Sequence, residues 1–371
     1  MKIVEFVVIN HDTRYRLRPS VSIVPTKDEM VWEFFQSNTR RIKHIKVKDN
    51  SLINAVRNLN GKTFAELSNE IGVSENLDNF LTYLYNSCLV EDSDLATNIN
   101  NRPFNRVINF LADYFPTHEA VNAFQNIRQS HVLIIGVGAV GSWICHLLAQ
   151  SGVGAFTLCD PDIIKPNNLN RSLFFFSEIG EKKVKCVAKA IQDIDPSIIV
   201  RCFDQMVEND ESIEEIFSKS IRKFDFVINA SDYPNVDTTS EIISKTCMAH
   251  EVPHLIAGGY NLHLSLIGPT IIPYKTPCFQ CIKEGLAKEQ PSDFANIRKL
   301  HREKRNIGNI SPLAGISASF ATFEALRVLV KSEKLLPIMT GRRGEYNFLT
   351  SKLNFSEYPR VPDCTWCGTQ H

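Results

Sequence analysis

Four apolar residues, Val132 to Ile135, run directly into Gly136-Val-Gly138-Ala-Val-Gly141. Such a run reads as a strand buried on both faces, as in a parallel sheet. The glycine spacing then calls for a tight turn into a helix whose first amides can approach a phosphate. Downstream, the apolar run Ala155 to Cys159 ends on Asp160. An acid at the end of a second strand is placed to take ribose hydroxyls. Gly136, Gly138, Gly141 and Asp160 therefore point to a nucleotide, though not to which one, because NAD and ATP would use them alike.

The 371-residue length allows two or three domains. Equal numbers of basic and acidic residues, 41 of each, argue against a broad nucleic-acid or anionic-membrane footprint. No apolar run approaches the ~20 residues of a membrane span. The apolar part of Met1 to Asn10 is interrupted by Glu5 and is too short for a signal peptide. These features predict a cytoplasmic protein with no membrane and no nucleic-acid partner. In that reducing compartment its ten cysteines favour metal ligation over disulfides.

Residues 1–95 have a different texture. Lys2 to Val8 and Tyr15 to Val24 read as short strands, with turn chemistry at Asn10-His-Asp12 and Arg18-Pro-Ser20. Helical periodicity follows at Asn50 to Leu59, Thr63 to Gly72 and Asn76 to Cys88. Thr63 and Glu66 form a candidate capping box. Leu67 and Ile71 share one face, as do Leu77, Phe80, Leu81 and Leu84. Strands plus three short helices suggest a small α+β winged-helix domain. Glu66, Glu70, Glu75 and Asp78 on its helices disfavour DNA binding, which needs cations. Polar, Asn-rich Asp92 to Asn101 reads as a linker, within a connecting arm over 96–118. From 119 to 371, apolar runs alternate with helical patterns, which predicts an α/β, Rossmann-like, mostly parallel sheet.

Cys278-Phe-Gln-Cys281 and Cys364-Thr-Trp-Cys367 can supply four thiolates to one tetrahedral zinc ion. Four thiolates close the coordination sphere, so the ion would be structural. A thioredoxin-type redox pair is the competing reading. Cys88, Cys145, Cys159, Cys186, Cys202 and Cys247 lie in apolar or helical surroundings and read as small core residues.

Further elements follow the glycine loop in order: Asn168-Leu-Asn-Arg171, Ile179-Gly-Glu-Lys-Lys183 and Val227-Ile-Asn-Ala-Ser-Asp232. With the glycines and paired cysteines, they resemble the ThiF/MoeB-type adenylating enzymes. That family includes the thiamin and molybdopterin sulfur-carrier adenylyltransferases and the ubiquitin-activating enzymes. The resemblance covers roughly Arg102 to His371. It implies that Asp160 takes the ribose, and that Asn168 and Arg171 belong to an element whose arginine stabilises the β- and γ-phosphates. It implies that Lys183 contacts the α-phosphate and Asp232 holds Mg²⁺. Arg106 would reach across a homodimer into the partner's ATP site. The chemistry is coherent: a carboxylate attacking a polyanion needs cations against repulsion and developing charge, and no general base, being already ionised. This chain has Arg171-Ser172 and Asp232-Tyr233 where the family often has Arg-Gln and Asp-Asn.

Gly285 to Ser311 corresponds to the family's crossover loop. It holds no cysteine, which argues against thioester capture. Arg298, Lys299, His301, Arg302, Lys304 and Arg305 there are either a solvated run or a cover meeting triphosphate or an acidic peptide. Arg16-Leu-Arg-Pro-Ser, Gly61 to Leu67 and Leu81 to Val90 resemble the leader-recognition domains of ribosomal-peptide modifying enzymes. In these an extended peptide adds a strand to a sheet edge beside a helix. The combination resembles the microcin C and pantocin types. It implies ATP- and Mg²⁺-dependent activation of a carboxyl or amide in a precursor peptide, with glutamate cyclisation one outcome. The competing expectations are activation of a sulfur carrier's Gly-Gly tail and a non-catalytic nucleotide-binding protein.

Overall fold

The computed structural model describes residues 7–48, 50–71, 76–257, 260–261, 264–289 and 308–368. They fall into two units, Met1–Gln125 and Asn126–His371.

The first unit runs β1 (Tyr15–Leu17), β2 (Val21–Pro25), β3 (Val31–Gln36), β4 (Arg41–Lys46), α1 (Ser51–Arg57), α2 (Phe64–Ile71), α3 (Leu77–Asn86), β5 (Val90–Asp92), α4 (Ser93–Asn100) and α5 (Asn105–Ala112). Strands β2, β3 and β4 form an antiparallel sheet, and β1 pairs with β5. Phe34 of β3 and Leu59, Leu67, Leu77, Leu81 and Leu84 from the helical half are all fully buried in one core. Buried Gln36 avoids an unmet donor by giving its amide to the Cys88 carbonyl at 3.0 Å. At the start of α2 the amide of Thr63 donates to Glu66 and the amide of Glu66 to the Thr63 hydroxyl, so the capping box forms.

Two expectations are corrected here, and two strands are added. Val7 to Asn10 form no strand, and Lys2 to Phe6 lie outside the described residues. The Asn86 side chain occupies both backbone groups of Val7, and the Thr82 hydroxyl takes the amide of Ile9, in place of a neighbouring strand. The stretch Asp92 to Asn101 is not a linker but carries helix α4 over Ser93–Asn100: Asp92 caps it by accepting from the amide of Leu95, and Ala96 and Ile99 are buried. Finally, β3 and β4 were not anticipated; in β4, Arg-Ile-Lys-His-Ile-Lys, charges interleave with the apolar positions.

Helix α6 (Thr117–Gln129) spans the boundary between the units. Beyond it come β6 (His131–Ile135), α7 (Ala139–Gln150), β7 (Ala155–Cys159), α8 (Lys183–Ile194), β8 (Ile199–Phe203), α9 (Asp210–Ser218), β9 (Phe226–Asn229), α10 (Val236–Ala249) and β10 (His254–Ile256). The chain continues with β11 (Tyr260–Asn261), β12 (Leu264–Ile267), β13 (Thr270–Ile271), α11 (Phe279–Glu289), α12 (Ser311–Leu329), β14 (Arg342–Asn347) and β15 (Lys352–Glu357). The main sheet has the order β13-β10-β9-β6-β7-β8 and is parallel except at β13. Every residue of β6, β7 and β9 is buried, as helices on both faces of a parallel sheet require. A second, antiparallel sheet has the order β11-β12-β14-β15. No helix among the described residues is long and apolar enough to cross a membrane.

Two histidines sit inside this unit. His131 shares a hydrogen bond with the Thr157 hydroxyl at 2.9 Å, and His254 donates Nδ1–H to the Val252 carbonyl at 3.1 Å. The other ring nitrogen of each is buried without a partner. Burial therefore pushes both imidazoles down to about 4. A depressed folded-state value means that the unfolded chain takes up protons first, so stability is full above ~6.5 and falls as pH drops toward 4. Each histidine contributes on the order of 3 kcal/mol to that fall. Urea melts between pH 7 and 4 should show a steep loss that flattens in His131→Gln and His254→Asn. An equally steep loss in both variants would remove the assignment.

Candidate nucleotide-binding site

The order of the main sheet creates the site. Strands β7 and β8 lie on one side of β6, and β9 and β10 on the other. Loops leaving the carboxyl ends of β6 and β9 therefore diverge, opening the crevice where open α/β sheets hold ligands. The glycine loop leaves β6 there, and Ala230-Ser231-Asp232 leave β9.

The three glycines serve different ends. Gly136 has φ +83°, and a Cβ on it would come within 2.8 Å of the Ala230 backbone. A Cβ on Gly141 would overlap the Gly136 carbonyl at 1.9 Å. These two close the turn. A Cβ on Gly138 would meet no protein atom within 4 Å, so what glycine leaves there is open room at the N-terminus of α7. That is the position a phosphate needs to reach the amides.

Asp160 is buried at the base of this loop. One of its oxygens accepts from the amide of Val137 and the other from the amide of Asp162, both at 2.9 Å. Lys183, buried at the start of α8, stands 3.8 Å from Asp160 and 2.7 Å from Asp162. Burial pushes the Asp160 carboxyl above the usual carboxylate range, while the Lys183 charge and the two amides pull against that shift. Glycine loop, Asp160 and Lys183 thus form one hydrogen-bonded group. Asp162 is a member that the motif reading passed over, although an Asp-x-Asp pair is visible in the sequence.

Asn168 and Arg171 lie on the loop after β7. The Asn168 side chain accepts from the amide of Lys165 at 2.8 Å and its carbonyl accepts from Arg171 and Ser172, so this asparagine shapes the turn that carries Arg171. The Arg171 guanidinium folds back onto the Asn167 carbonyl and the Asn170 side chain. Asp232 is exposed beyond β9. Its loop is held by buried Asn229, which donates to Thr239 and Ser240 on α10 and accepts from the amide of Ser231. Asn229 was missed as a positioning group because an amide ending an apolar strand carries no motif. Arg106 is exposed on α5 in the first unit. Nothing in the structure explains Ser172 or Tyr233 in place of the family's usual residues. Arg298, Lys299, His301, Arg302, Lys304 and Arg305 lie outside the described residues.

The four paired cysteines converge. Cys278 lies 3.5 Å from Cys364, Cys281 3.5 Å from Cys367, and Cys278 3.8 Å from Cys281. All four sulfurs are within 4.8 Å of one another and all four residues are buried. Thiolates bound at 2.3 Å to one tetrahedral ion stand about 3.8 Å apart, so the cluster has the dimensions of a metal site. Among the other cysteines, Cys88, Cys145, Cys159 and Cys247 are buried as expected. Two depart from the core reading: Cys186 on α8 is half-buried, and Cys202 is exposed because β8 is an edge strand.

A Rossmann-like sheet with an open glycine loop, a buried acid at its base and a lysine beside that acid is the frame of a nucleotide-binding fold. Residues 114–365 match the ThiF family, and the chain belongs to that family of ATP-dependent adenylating enzymes. It is 24% identical to the sulfur carrier protein ThiS adenylyltransferase of Escherichia coli over 255 residues, which cover 67% of this chain and 90% of that protein. It is 32% identical to the tRNA threonylcarbamoyladenosine dehydratase of Haemophilus influenzae over 139 residues, covering 37% of this chain and only 51% of that protein. Among solved structures, E. coli MccB with ATP superposes with a TM-score of 0.75 at 17% identity, over 95% of this chain and 99% of that one. PaaA superposes with a TM-score of 0.68 at 20% identity, over 93% and 100%.

Proposed function

We propose that this enzyme adenylates a carboxyl or amide group of a ribosomally made precursor peptide, as a step in peptide natural-product biosynthesis. One observation carries the reading. The ThiS adenylyltransferase aligns with 67% of this chain, whereas the MccB fold extends over 95% of it. A likeness reaching that far takes in residues of the first unit. That MccB has been solved in complex with N-formylated MccA supports a peptide substrate for this chain.

The residues divide the work as follows. The amides at the start of α7 and the room at Gly138 receive ATP phosphates, and Asp160 receives the ribose. Lys183 neutralises the α-phosphate, which lets a peptide carboxylate approach. The carboxylate oxygen bonds to the α-phosphorus as the bond to pyrophosphate breaks. Arg171 takes charge developing on the leaving group through its planar fork. Exposed Asp232 suits Mg²⁺, which would supply charge neutralisation at the phosphates. Zinc in the four-cysteine cluster would hold the C-terminal tail. A second copy would supply Arg106, so light scattering should give twice the mass of one chain.

The first unit offers an edge for a peptide. Among the described residues, strand β4 pairs with β3 alone. Arg41, Lys43 and Lys46 make it basic, Ile42 on it is exposed, and the Lys43 ammonium lies 5.7 Å from the centre of the Tyr83 ring on α3. An extended acidic peptide fits such an edge. With a short peptide encoded beside this gene, ATP–pyrophosphate exchange should appear only when peptide and Mg²⁺ are both present. Arg41→Glu/Lys43→Glu should raise the peptide KM about tenfold or more at little cost in kcat. Exchange with a Gly-Gly-tailed sulfur carrier and none with the peptide would select the alternative reading. No exchange with either would leave a nucleotide-binding protein without adenylation.

A further inference from the structure

Arg171 is held from three directions. The Trp143 indole N–H, at the start of the second turn of α7, donates to the Arg171 carbonyl at 3.2 Å. Its neighbour Ser142, buried, accepts from the amide of Leu173 at 3.1 Å. The helix that starts at the glycine loop thus fixes the backbone on both sides of Arg171. The side chain is set separately, by the Asn167 carbonyl and by Asn170. Asn170 Oδ1 accepts from Arg171 Nη1 at 3.1 Å, while Asn170 Nδ2 donates to the Asn309 carbonyl at 3.1 Å. Asn309 lies just ahead of α12, a long helix packed against α7.

From this geometry we propose that Asn170 is a positioning residue for Arg171. Its amide, anchored to Asn309, orients the guanidinium, while Trp143 and Ser142 hold the backbone beneath. An arginine on a surface loop otherwise has several rotatable bonds, and ordering them on ligand binding costs affinity. An amide fixed at its nitrogen end limits the positions of the group bonded to its oxygen end. Asn168 cannot do this, because its own side chain is committed to the amide of Lys165. The inference rests on the reading that Arg171 meets the β- and γ-phosphates.

Calorimetric titration of the full chain with MgATP and with AMP tests it, without needing the peptide. Arg171→Ala should weaken MgATP about tenfold or more and leave AMP within about twofold, since AMP lacks the outer phosphates. Asn170→Ala should weaken MgATP about fivefold, again sparing AMP, with an unchanged melting temperature. The double variant should bind MgATP no more weakly than Arg171→Ala alone, because Asn170 acts through Arg171. Additive losses in the double variant, or equal losses for AMP, would show a general structural role and overturn the proposal. If Asn170→Ala binds MgATP normally while Arg171→Ala does not, the positioning role falls and the phosphate role stands. If Arg171→Ala itself binds MgATP normally, the phosphate reading fails first. Trp143→Phe keeps the ring but deletes its N–H and should shift MgATP affinity in the same direction.

Discussion

Asp232→Ala should lower peptide-dependent ATP–pyrophosphate exchange by about 100-fold or more while leaving the melting temperature unchanged. The second half of that expectation follows from exposure. Asp232 stands beyond β9 in solvent, and its loop is fixed by Asn229, Thr239 and Ser240 rather than by its own carboxylate. Lys183→Ala should match the loss of exchange but not the intact stability. Its ammonium is buried between Asp160 and Asp162 and offsets the burial that raises the Asp160 pKa. Without it two carboxylates face each other uncompensated, Asp160 is driven further toward its protonated form, and its hold on the Val137 amide weakens. Removal of the buried charge should cost on the order of 3 kcal/mol. Measuring exchange and urea melts on the same two proteins separates the roles. Full exchange in Asp232→Ala would remove its assignment to Mg²⁺, and Lys183→Ala as stable as the parent would mean that the lysine is not part of the carboxylate group.

Which parts of this molecule were visible in the sequence follows from physical locality. Strands β6, β7 and β9 were readable because a strand buried on both faces must be apolar throughout, and the glycine spacing is forced by contacts with Ala230 and Gly136. Helix α2 was readable because Thr63 and Glu66 satisfy each other within one turn. Strand β4 was not, since Arg-Ile-Lys-His-Ile-Lys places charges on an edge where tertiary pairing decides the structure. Nor was α4, whose Asn-rich composition hides the cap at Asp92 and the buried Ala96 and Ile99. In the site, residues with a chemical signature were legible. Trp143, Ser142, Asn170 and Asn229, which orient them, were not, because each acts on a partner brought near only by the fold.

Cys364→Ser should abolish stoichiometric zinc and lower the melting temperature by about 10 °C. The four sulfurs come from two places: Cys278 and Cys281 at the start of α11, and Cys364 and Cys367 in the tail after β15. Little regular structure holds that tail. Around the sulfurs, Phe279, Ile282 and Tyr358 are buried, with Val361 and Trp366 packed against them. Gly285 of α11 lies so near the Tyr358 ring that a Cβ there would approach it to 2.5 Å. Tail and helix therefore pack as one group, and a metal bonded to both would resist their separation. Structural zinc contributes several kcal/mol to such a group, and ~1 kcal/mol corresponds to about 2–4 °C in a domain of this size. The same fall should follow chelation of the parent protein and reverse on adding zinc, whereas Cys202→Ser, at an exposed edge-strand position, should change neither zinc content nor melting. A parent chain that purifies without zinc and melts identically to Cys364→Ser would reduce the cluster to packed thiols. Because four thiolates close the coordination sphere and leave no position for a substrate, loss of zinc at temperatures below the new midpoint should leave MgATP affinity within about twofold, which separates a metal that holds the fold from one that serves the chemistry.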